Sequence, residues 1–539
     1  MNVHVDSVAR ERWPFAAAAG VLLALLAAYL WAALGQNNGH FVYAQDDPYI
    51  HLVIARTLAG HGVWGVTPDQ FAPASSSPLW TVLLATVRLL GGGAGWWPFV
   101  INVAAGLLVV WAADRLIPTS AGAAFRLVAL LTCIVVIPLP TLVFIGMEHT
   151  LHIACVLALC GAAATRVAGE GQDRLWPAGI CLSVLTAGLR YEGLFVIAVV
   201  VAAALLRRRW STAVSVGLGG ALVPGVYAIY SMAHGGLPLP NSVLMKSDPA
   251  RFGSWFSALG FMGDWVGVLS LYQRPVLAVL AIAALLLAAV LANPGRSSWS
   301  TPIVLIGFFA GATLLHVCLV KVEWFFRYEA YVIALGLAAV TNAAAEVRRS
   351  SALAGVLAGN PLRRGAAVTC AAVLALPLVS RGAEAMLLTV PATGEVYRQQ
   401  YQMGLFFGRY YPGDSVAVND IGAVAWLGGV KVVDLVGLAT PDVAKARRHN
   451  ADDTAFFDSL LRRHDAAVAC VYDYYFTGSR SLPQSWHKVG EWRMARHAAV
   501  SRETVAFYAP SPERTVRLRE ALEGFARHLP GGVTYVAIP

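Results

Sequence analysis

Long apolar stretches recur along the first 380 residues, and they constrain this chain more than any other feature. A stretch of about 20 apolar residues can cross a bilayer as an α-helix. Eleven stretches are that long or nearly so, near residues 15–34, 96–113, 127–145, 150–165, 175–189, 193–206, 211–230, 275–292, 301–320, 328–345 and 366–380. Because 57% of the residues are hydrophobic and only 13% are charged, the sequence predicts a polytopic α-helical membrane protein with about 11 transmembrane helices.

The arginines between these stretches predict the orientation of the chain. Loops with an excess of Lys and Arg stay in the cytoplasm. Such residues fall in alternate loops here, at Arg10 and Arg12, Arg115 and Arg126, Arg166 and Arg174, Arg207 to Arg209, Arg296, and Arg348, Arg349, Arg363 and Arg364. The net charge of +9 therefore reflects topology and not a surface for nucleic acid. We expect a multi-pass membrane protein with a cytoplasmic N-terminus and, because eleven is odd, an outer C-terminal region.

Two segments need a choice between a span and another structure. Residues 175–206 could form one long helix, but that would move Arg207 to Arg209 outside and break the alternation. We therefore expect two short helices with a hinge at Arg190–Gly193. The stretch Pro78 to Leu90 is short and ends in three glycines, so we expect a helix along the outer interface, with Trp80 as its aromatic anchor.

The composition changes near residue 380 to that of a soluble protein. The pattern predicts a membrane domain over 1–380, with a first outer loop at about 35–95, and a soluble extracytoplasmic α/β domain over 381–539. Short buried strands are predicted to alternate with helices, the strands at Ser415–Asn419, Val430–Val436 and Ala466–Val471 and the helices at Asp453–Arg463 and Glu513–Arg527.

This topology brings the polar clusters near the membrane to its outer side. They are Asp46 and Asp47, Gly146 to His149, Arg190 to Glu192, Pro240 to Ser242 with Lys246, and Lys321 to Glu323 with Arg327. Ionisable residues at membrane depth are costly and commonly mark a functional site. The clustering on one side therefore predicts a site at the outer ends of the spans.

The pair Asp46 and Asp47 has two compatible interpretations. Both precede Pro48, and an acidic residue followed by proline is typical of a helix N-terminus. Two carboxylates exceed what a cap needs. One of them could deprotonate an acceptor hydroxyl, provided that its pKa is raised and that it lies within hydrogen-bonding reach.

The other charged residues also have a structural and a functional interpretation. Glu148 is either a helix-cap acid or a group that binds sugar hydroxyls and adjusts the pKa of the base. For Arg190 and Glu192 we favour an ion pair at the hinge over direct catalysis. The cations Lys246, Lys321 and Arg327 could bind a lipid phosphate, although each alone could equally extend to lipid headgroups.

Two further binding sites receive little support from the spacing of residues. The segment Asn419–Ala423 predicts a strand-to-helix turn, but it lacks the GxGxxG pattern of a nucleotide site. His51, His149, Asp46, Asp47 and Glu148 include metal-binding residue types, yet no pair of histidines stands at i and i+4. No cofactor is predicted, and a divalent metal stays an open alternative.

Taken together, these motifs resemble the glycosyltransferase C (GT-C) superfamily, polytopic enzymes that use polyprenyl-phosphate sugars. The residues that carry the resemblance are Asp46–Arg56, Ala74–Trp80, Gly146–Glu148, Arg190–Gly193 and Leu239–Ser242 followed by Lys246. Their order is similar to that in the bacterial branch that includes the mycobacterial terminal arabinofuranosyltransferases. Asn419–Ala423 and Val433–Leu438 resemble the outer C-terminal domain of that branch.

The resemblance implies an enzyme of the bacterial plasma (inner) membrane. Its reaction would be an inverting transfer of a sugar from a polyprenyl-phosphate donor to a glycan, lipid or protein of the cell envelope. Asp46 is then the base with Asp47 beside it, and Glu148 assists. The donor would be bound by residues of the outer clusters, namely Lys246, Arg327, Arg190, Lys321, Asn241 and His51. The branch often has Pro where this chain has Tyr191, and Ala where it has Pro48, so the donor sugar does not carry over; a pentofuranose is one candidate.

Two other classes of protein stay open. A transporter or lipid flippase also has many spans and charges within the membrane, but it is expected to show paired repeats or interrupted helices in both halves. We find neither pattern in the sequence. A membrane sensor or scaffold would bind its ligand in the outer C-terminal domain, and the Asp46 cluster would then be dispensable.

Overall fold

The computed structural model describes residues 11–170, 172–244, 274–291, 299–320, 325–349, 361–495 and 500–539. Each of the eleven apolar stretches overlaps a helix, or a pair of helices, within these ranges. The helices in the first part of the chain are Trp13–Gln36, Asp47–His61, Pro78–Leu89, Trp97–Leu116, Ala123–Val136, Leu139–Ile145, His149–Ala168, Pro177–Leu189, Gly193–Leu206, Trp210–Ala233, Asn241–Leu244, Arg274–Leu291, Thr301–Leu319, Ala330–Arg349 and Pro361–Val396.

Seven helices of the described ranges are long and apolar enough to cross a membrane. An eighth span results if Ala123–Val136 and Leu139–Ile145 are counted together, since they are bent by 40° at a short break. Pro138 lies in this break, where it supplies no amide hydrogen for a continuous helix. Three of the predicted spans are shorter apolar helices, near 177–189, 193–206 and 275–288.

The predicted hinge between two short helices is confirmed. The Pro177–Leu189 helix ends where Arg190 takes an extended backbone conformation, and the Gly193–Leu206 helix begins three residues later. The interpretation of Trp80 as an interfacial anchor is wrong, because this side chain is fully buried. It packs with Tyr49, Leu52 and Leu84 between the Asp47–His61 and Pro78–Leu89 helices, so it belongs to the core.

The C-terminal part of the chain folds around a six-stranded mixed sheet. Its strands are β1 (Ser415–Val418), β2 (Lys431–Asp434), β3 (Val468–Val471), β4 (His487–Met494), β5 (Thr504–Ala509) and β6 (Val533–Ala537), in the order β2-β1-β3-β5-β4-β6. Strand β1 is parallel to β2 and β3, and the remaining pairs are antiparallel. The three strands predicted from the sequence are β1, β2 and β3, so this prediction is confirmed. The helices here are Gly422–Leu427, Pro441–Arg448, Thr454–Arg463 and Pro512–Ala526.

A continuous helical segment joins the membrane helices to this sheet. The Pro361–Val396 helix passes through a π-helical turn, Tyr397–Tyr401, into a last helix, Gln402–Tyr410. Phe406 on that helix is fully buried among aromatic rings, with centroids 5.6 Å from Trp492 and 5.5 Å from both Phe507 and Phe525. Aromatic packing of this kind fixes the helix to the sheet.

A buried ion pair holds the loop that precedes the Ala330–Arg349 helix. Phe325 and Phe326 both have positive φ angles, 54° and 62°, which strain a non-glycine backbone by about 1–3 kcal/mol each. Arg381 donates to the Phe326 carbonyl at 2.7 Å and to Glu329 Oε1 at 2.5 Å. Glu329 and Arg381 are both buried, so the pair keeps the strained loop in place.

We expect Glu329→Gln to destabilise the protein by about 3–5 kcal/mol, because the buried Arg381 guanidinium then lacks its counter-charge. Denaturant titration in detergent micelles would measure this loss. The matched control is Asp458→Asn, which breaks a surface pair with Arg462, whose side chain is 72% exposed; its effect should stay below about 1 kcal/mol. Equal effects of the two variants would contradict the role given to the buried pair.

Candidate functional site

Asp46 joins the start of the Asp47–His61 helix to the C-terminal sheet domain. Its Oδ2 accepts a hydrogen bond from the Gly422 amide and its Oδ1 accepts one from the Ala423 amide, both at 2.7 Å. These amides open the Gly422–Leu427 helix and have no partners inside it. A Cβ atom at position 422 would lie 2.2 Å from the Asp46 carbonyl oxygen, so the contact requires glycine there. Asp46 is thus a helix cap, but for a helix of the other domain.

Asp420 lies next to this contact and adds a second carboxylate. Its Oδ2 accepts hydrogen bonds from Gln400 Nε2 and from the Tyr472 hydroxyl, both at 2.7 Å. Burial, followed by the charge of Asp420, raises the pKa of Asp46 to about 8, although the two amide donors act in the opposite direction. Burial also raises the pKa of Asp420. The two domains therefore meet at a pair of carboxyl groups that compete for ionisation.

Asp47 points to the other side of the same turn, towards the membrane helices. Its Oδ2 accepts a hydrogen bond from Arg327 at 2.5 Å, and its side chain is 35% exposed while that of Arg327 is 2% exposed. Arg327 follows the strained Phe325–Phe326 backbone and stacks on the Tyr328 ring, 5.1 Å from its centroid. Asp47 is therefore held in position with part of its side chain exposed.

A second arginine is buried behind Tyr328 among carboxylates. Arg190 donates to Glu148 at 2.6 Å and to Glu192 at 2.5 Å, and its guanidinium lies 5.7 Å from the Tyr328 ring centroid. The predicted Arg190–Glu192 ion pair is thus confirmed. His149 Nε2 lies 2.9 Å from Arg190 Nη1. Because Glu148 is fully buried, its contact in this structure is with Arg190 and not with solvent.

A cavity of about 720 Å³ opens beside this network. Arg190, Glu192 and Ser76 lie on the membrane side of its lining. The opposite wall comes from the C-terminal domain, which contributes Arg447, Arg448 and Arg480 to the lining. Apolar residues complete it, including Phe195, Leu237, Leu239, Leu244, Leu319 and Val320. A cavity with this size and mixture of groups is suitable for part of an amphiphilic substrate.

The other predicted donor-binding residues are distributed around this cavity. Asn241 lines it, and its amide donates to the carbonyls of Gly437 and Leu438 at 3.2 and 3.3 Å. His51 is buried, and its Nδ1 lies 3.2 Å from the hydroxyls of Ser75 and Thr81. Lys246 and Lys321 lie outside the described residues.

The sequence interpretation missed the basic wall of the cavity. Arg447, Arg448 and Arg480 belong to the C-terminal sheet domain, and arginines on the surface of such a domain are common. The Arg447–Arg448 pair at a helix end is a weak signal, since basic residues favour that position for electrostatic reasons alone. Only the packing of the two domains brings these residues opposite Arg190.

The open alternative of a divalent metal receives no geometric support in the described part of the chain. No three His, Cys, Asp or Glu side chains converge there in a group that could hold a metal ion. His51 lies beside the hydroxyl groups of Ser75 and Thr81, and His149 lies beside Arg190 and Glu148.

Comparisons with known proteins bear on the fold. Residues 393–508 match the model of a Domain of unknown function (DUF8728). No curated protein matches the chain by sequence. The chain is similar in structure to ArnT from Cupriavidus metallidurans in the apo state, with a TM-score of 0.50 and 14% identity over 92% of this chain and 99% of that chain.

At this level of identity the likeness to ArnT concerns the fold. The chain thus has the predicted polytopic, GT-C-like helical architecture with a C-terminal sheet domain. The closer similarity to the mycobacterial arabinofuranosyltransferase branch stays a prediction.

We expect Gly422→Ala to loosen the contact between the two domains, because the new Cβ would overlap with Asp46. Loss of the two amide hydrogen bonds should speed hydrogen exchange over residues 422–427 roughly tenfold. Hydrogen–deuterium exchange with mass spectrometry would measure this change. Gly531→Ala is the control, since nothing lies within 4 Å of its added Cβ. Unchanged exchange in Gly422→Ala would show that Asp46 does not protect this helix.

Proposed function

We propose that the chain is an inverting glycosyltransferase that moves a sugar from a polyprenyl-phosphate donor to an acceptor of the cell envelope. The GT-C-like fold supports a glycosyltransferase, and the ArnT to which it is similar is a 4-amino-4-deoxy-L-arabinose transferase. The observation that carries the proposal is the partly exposed Asp47 carboxylate, fixed by the buried Arg327 at the junction of both domains. Such a preorganised carboxylate is suited to general-base catalysis.

Of the two aspartates, the contacts favour Asp47 as the base. Both oxygens of Asp46 already accept hydrogen bonds from backbone amides, so a substrate hydroxyl would compete with two donors. The Asp47 side chain is 35% exposed while it pairs with Arg327, so an acceptor hydroxyl can reach it from solvent. We therefore assign the proton transfer to Asp47 and the docking of the C-terminal domain to Asp46, which revises the assignment made from the family resemblance.

The reaction proposed is a single displacement at the anomeric carbon. An acceptor hydroxyl attacks that carbon from the face opposite the phosphate, its proton passes to Asp47, and the bond from the anomeric carbon to the phosphate oxygen breaks. Polyprenyl phosphate leaves with the electron pair, and the anomeric centre is inverted. Negative charge develops on the leaving phosphate, so fixed cations near the cavity would stabilise the transition state.

In this mechanism, Glu148 and Glu192 are positioning residues. They hold Arg190 in place from two sides, at 2.6 and 2.5 Å, and Arg190 borders the Tyr328 ring that also supports Arg327. The donor sugar proposed is a pentofuranose, and the acceptor is a glycan, lipid or protein of the envelope. We further propose that the site and the C-terminal domain face the outside of the plasma membrane, because the arginine-rich loops alternate with the loops of the site.

Replacement of Asp47 by Asn should lower kcat about 10²–10⁴-fold, the usual contribution of a general base. The protein should still fold, because Asn keeps the size of the side chain. Purified protein in membranes with a panel of labelled polyprenyl-phosphate sugars measures transfer and identifies the donor. Asp69→Asn, an exposed position in the same loop, is the matched control. Undiminished turnover by Asp47→Asn would refute the assignment.

Replacement of Asp420 by Asn should extend activity to lower pH. The Asp420 charge contributes to the raised pKa of Asp46, so its removal lowers that pKa. Asp46 then stays ionised, and continues to cap the Gly422–Leu427 helix, at lower pH. The acidic limb of the pH profile of kcat/KM is the measurement, again with Asp69→Asn as control. A limb that stays in place, or moves to higher pH, would contradict the coupling of these carboxyl groups.

A further inference from the structure

The cavity between the two domains has walls with different charge balance. On the membrane side, Arg190 is neutralised by two carboxylates, Glu148 and Glu192. Arg327 stacks on the Tyr328 ring and is paired with Asp47. An anion that approached this wall would therefore meet carboxylates as well as guanidinium groups, with no excess of positive charge among these residues.

The wall from the C-terminal domain has an excess of cations. Asp452 is buried and lies 2.8 Å from Arg480 Nε and 3.4 Å from Arg447 Nε, so two guanidinium groups share one carboxylate. Arg448 is exposed and forms no ion pair with another residue of the described ranges. Three guanidinium groups thus face the cavity around a single paired carboxylate.

Arg447 is partly buried and shares its nearest carboxylate with Arg480. Burial lowers the pKa of Arg447, Asp452 opposes this effect, and the neighbouring charge of Arg480 lowers the pKa further. Asp434 is also near, but its two oxygens accept amide hydrogen bonds from Val436 and Ala439 at 2.7 Å. Two partly buried arginines that repel each other would both be stabilised by a bound anion.

The membrane-side end of the same cavity is apolar. Leu237, Leu239, Val243 and Leu244 follow the Trp210–Ala233 helix, and Leu319 with Val320 ends a helix that is long and apolar enough to cross the membrane. Leu239 and Leu319 are 37% and 39% exposed. One cavity therefore joins an apolar entrance at the ends of membrane helices to a cationic wall in the soluble domain. This combination matches an amphiphile with an anionic headgroup.

We propose that Arg447, Arg448 and Arg480 form a phosphate-binding site in the C-terminal domain, which takes the phosphate of a polyprenyl-phosphate lipid whose chain lies along the apolar residues. Guanidinium groups suit this ligand, since they bind phosphate oxygens in bidentate geometry. The C-terminal domain then contributes directly to substrate binding, and Arg327 positions the Asp47 carboxylate. The identity of the lipid rests on the proposed function, whereas the binding of an anion does not.

The test is a binding measurement without sugar transfer. The full chain in nanodiscs of neutral phosphatidylcholine is titrated with undecaprenyl phosphate and, separately, with the uncharged undecaprenol, and the occupancy is read by native mass spectrometry. The wild type should bind the phosphate at least tenfold more tightly than the alcohol, as expected for charge-assisted hydrogen bonds. Arg448→Gln and Arg480→Gln should each remove most of that preference, and Arg448→Lys should keep part of it.

The control is Arg462→Gln, an arginine of the same domain that is exposed and paired with Asp458; it should bind like the wild type. Because Arg448 is exposed, its replacement should leave the thermal unfolding midpoint unchanged, which separates binding from folding. Wild-type affinity for undecaprenyl phosphate in both Arg448→Gln and Arg480→Gln would overturn the site. Equal competition by phosphatidylglycerol would overturn the assignment to the polyprenyl lipid.

The outcome is independent of the test of the transfer reaction. Phosphate-dependent binding in a protein that transfers no sugar would refute the proposed function and leave the site standing. Conversely, the wild type could transfer sugar and lose that activity in Asp47→Asn, while both arginine variants bind the lipid unaltered. That result would support the proposed function and refute the phosphate site.

Discussion

The contact of Asp46 with the amides of Gly422 and Ala423 is the interaction on which the proposed site depends. It joins the first loop of the membrane domain to the first helix of the sheet domain by two short hydrogen bonds. Asp47, next in sequence, is thereby turned towards Arg327, and the Arg447 wall is held opposite Arg190. Together with the Asn241 amide, which donates to the carbonyls of Gly437 and Leu438, the Asp46 carboxylate links the two halves of the cavity.

Several elements could be predicted because their cause is local or statistical. The hinge at Arg190–Gly193 follows from the position of Arg207 to Arg209. A single span over residues 175–206 would have moved these arginines to the outer side of the membrane. The strands β1 to β3 follow from short β-branched runs. The apolar pattern could not distinguish a lipid-facing Trp80 from a buried one, because both environments favour the same side chain.

The sequence allowed us to predict several residues of the site, but not the residues that they contact. Asp46, Asp47, Glu148 and Arg190 were identified because charges at the ends of apolar runs are costly. Their partners were not identifiable, since Gly422 lies 376 residues from Asp46 and Arg327 lies 280 residues from Asp47. Arg448 and Arg480 resemble any surface arginine in sequence. Such contacts depend on tertiary packing, which a local pattern does not encode.

The unbroken passage of the Pro361–Val396 helix through the Tyr397–Tyr401 turn into Gln402–Tyr410 limits how this chain can change in length. Each residue inserted into or deleted from a helix displaces the rest of that helix by about 1.5 Å and rotates it by about 100°. Gln400 on this segment holds Asp420, so such a change would swing the sheet domain away from Asp46. Loops elsewhere can tolerate insertions, whereas this connection acts as a fixed-length spacer. It sets the distance and the rotation between the two domains.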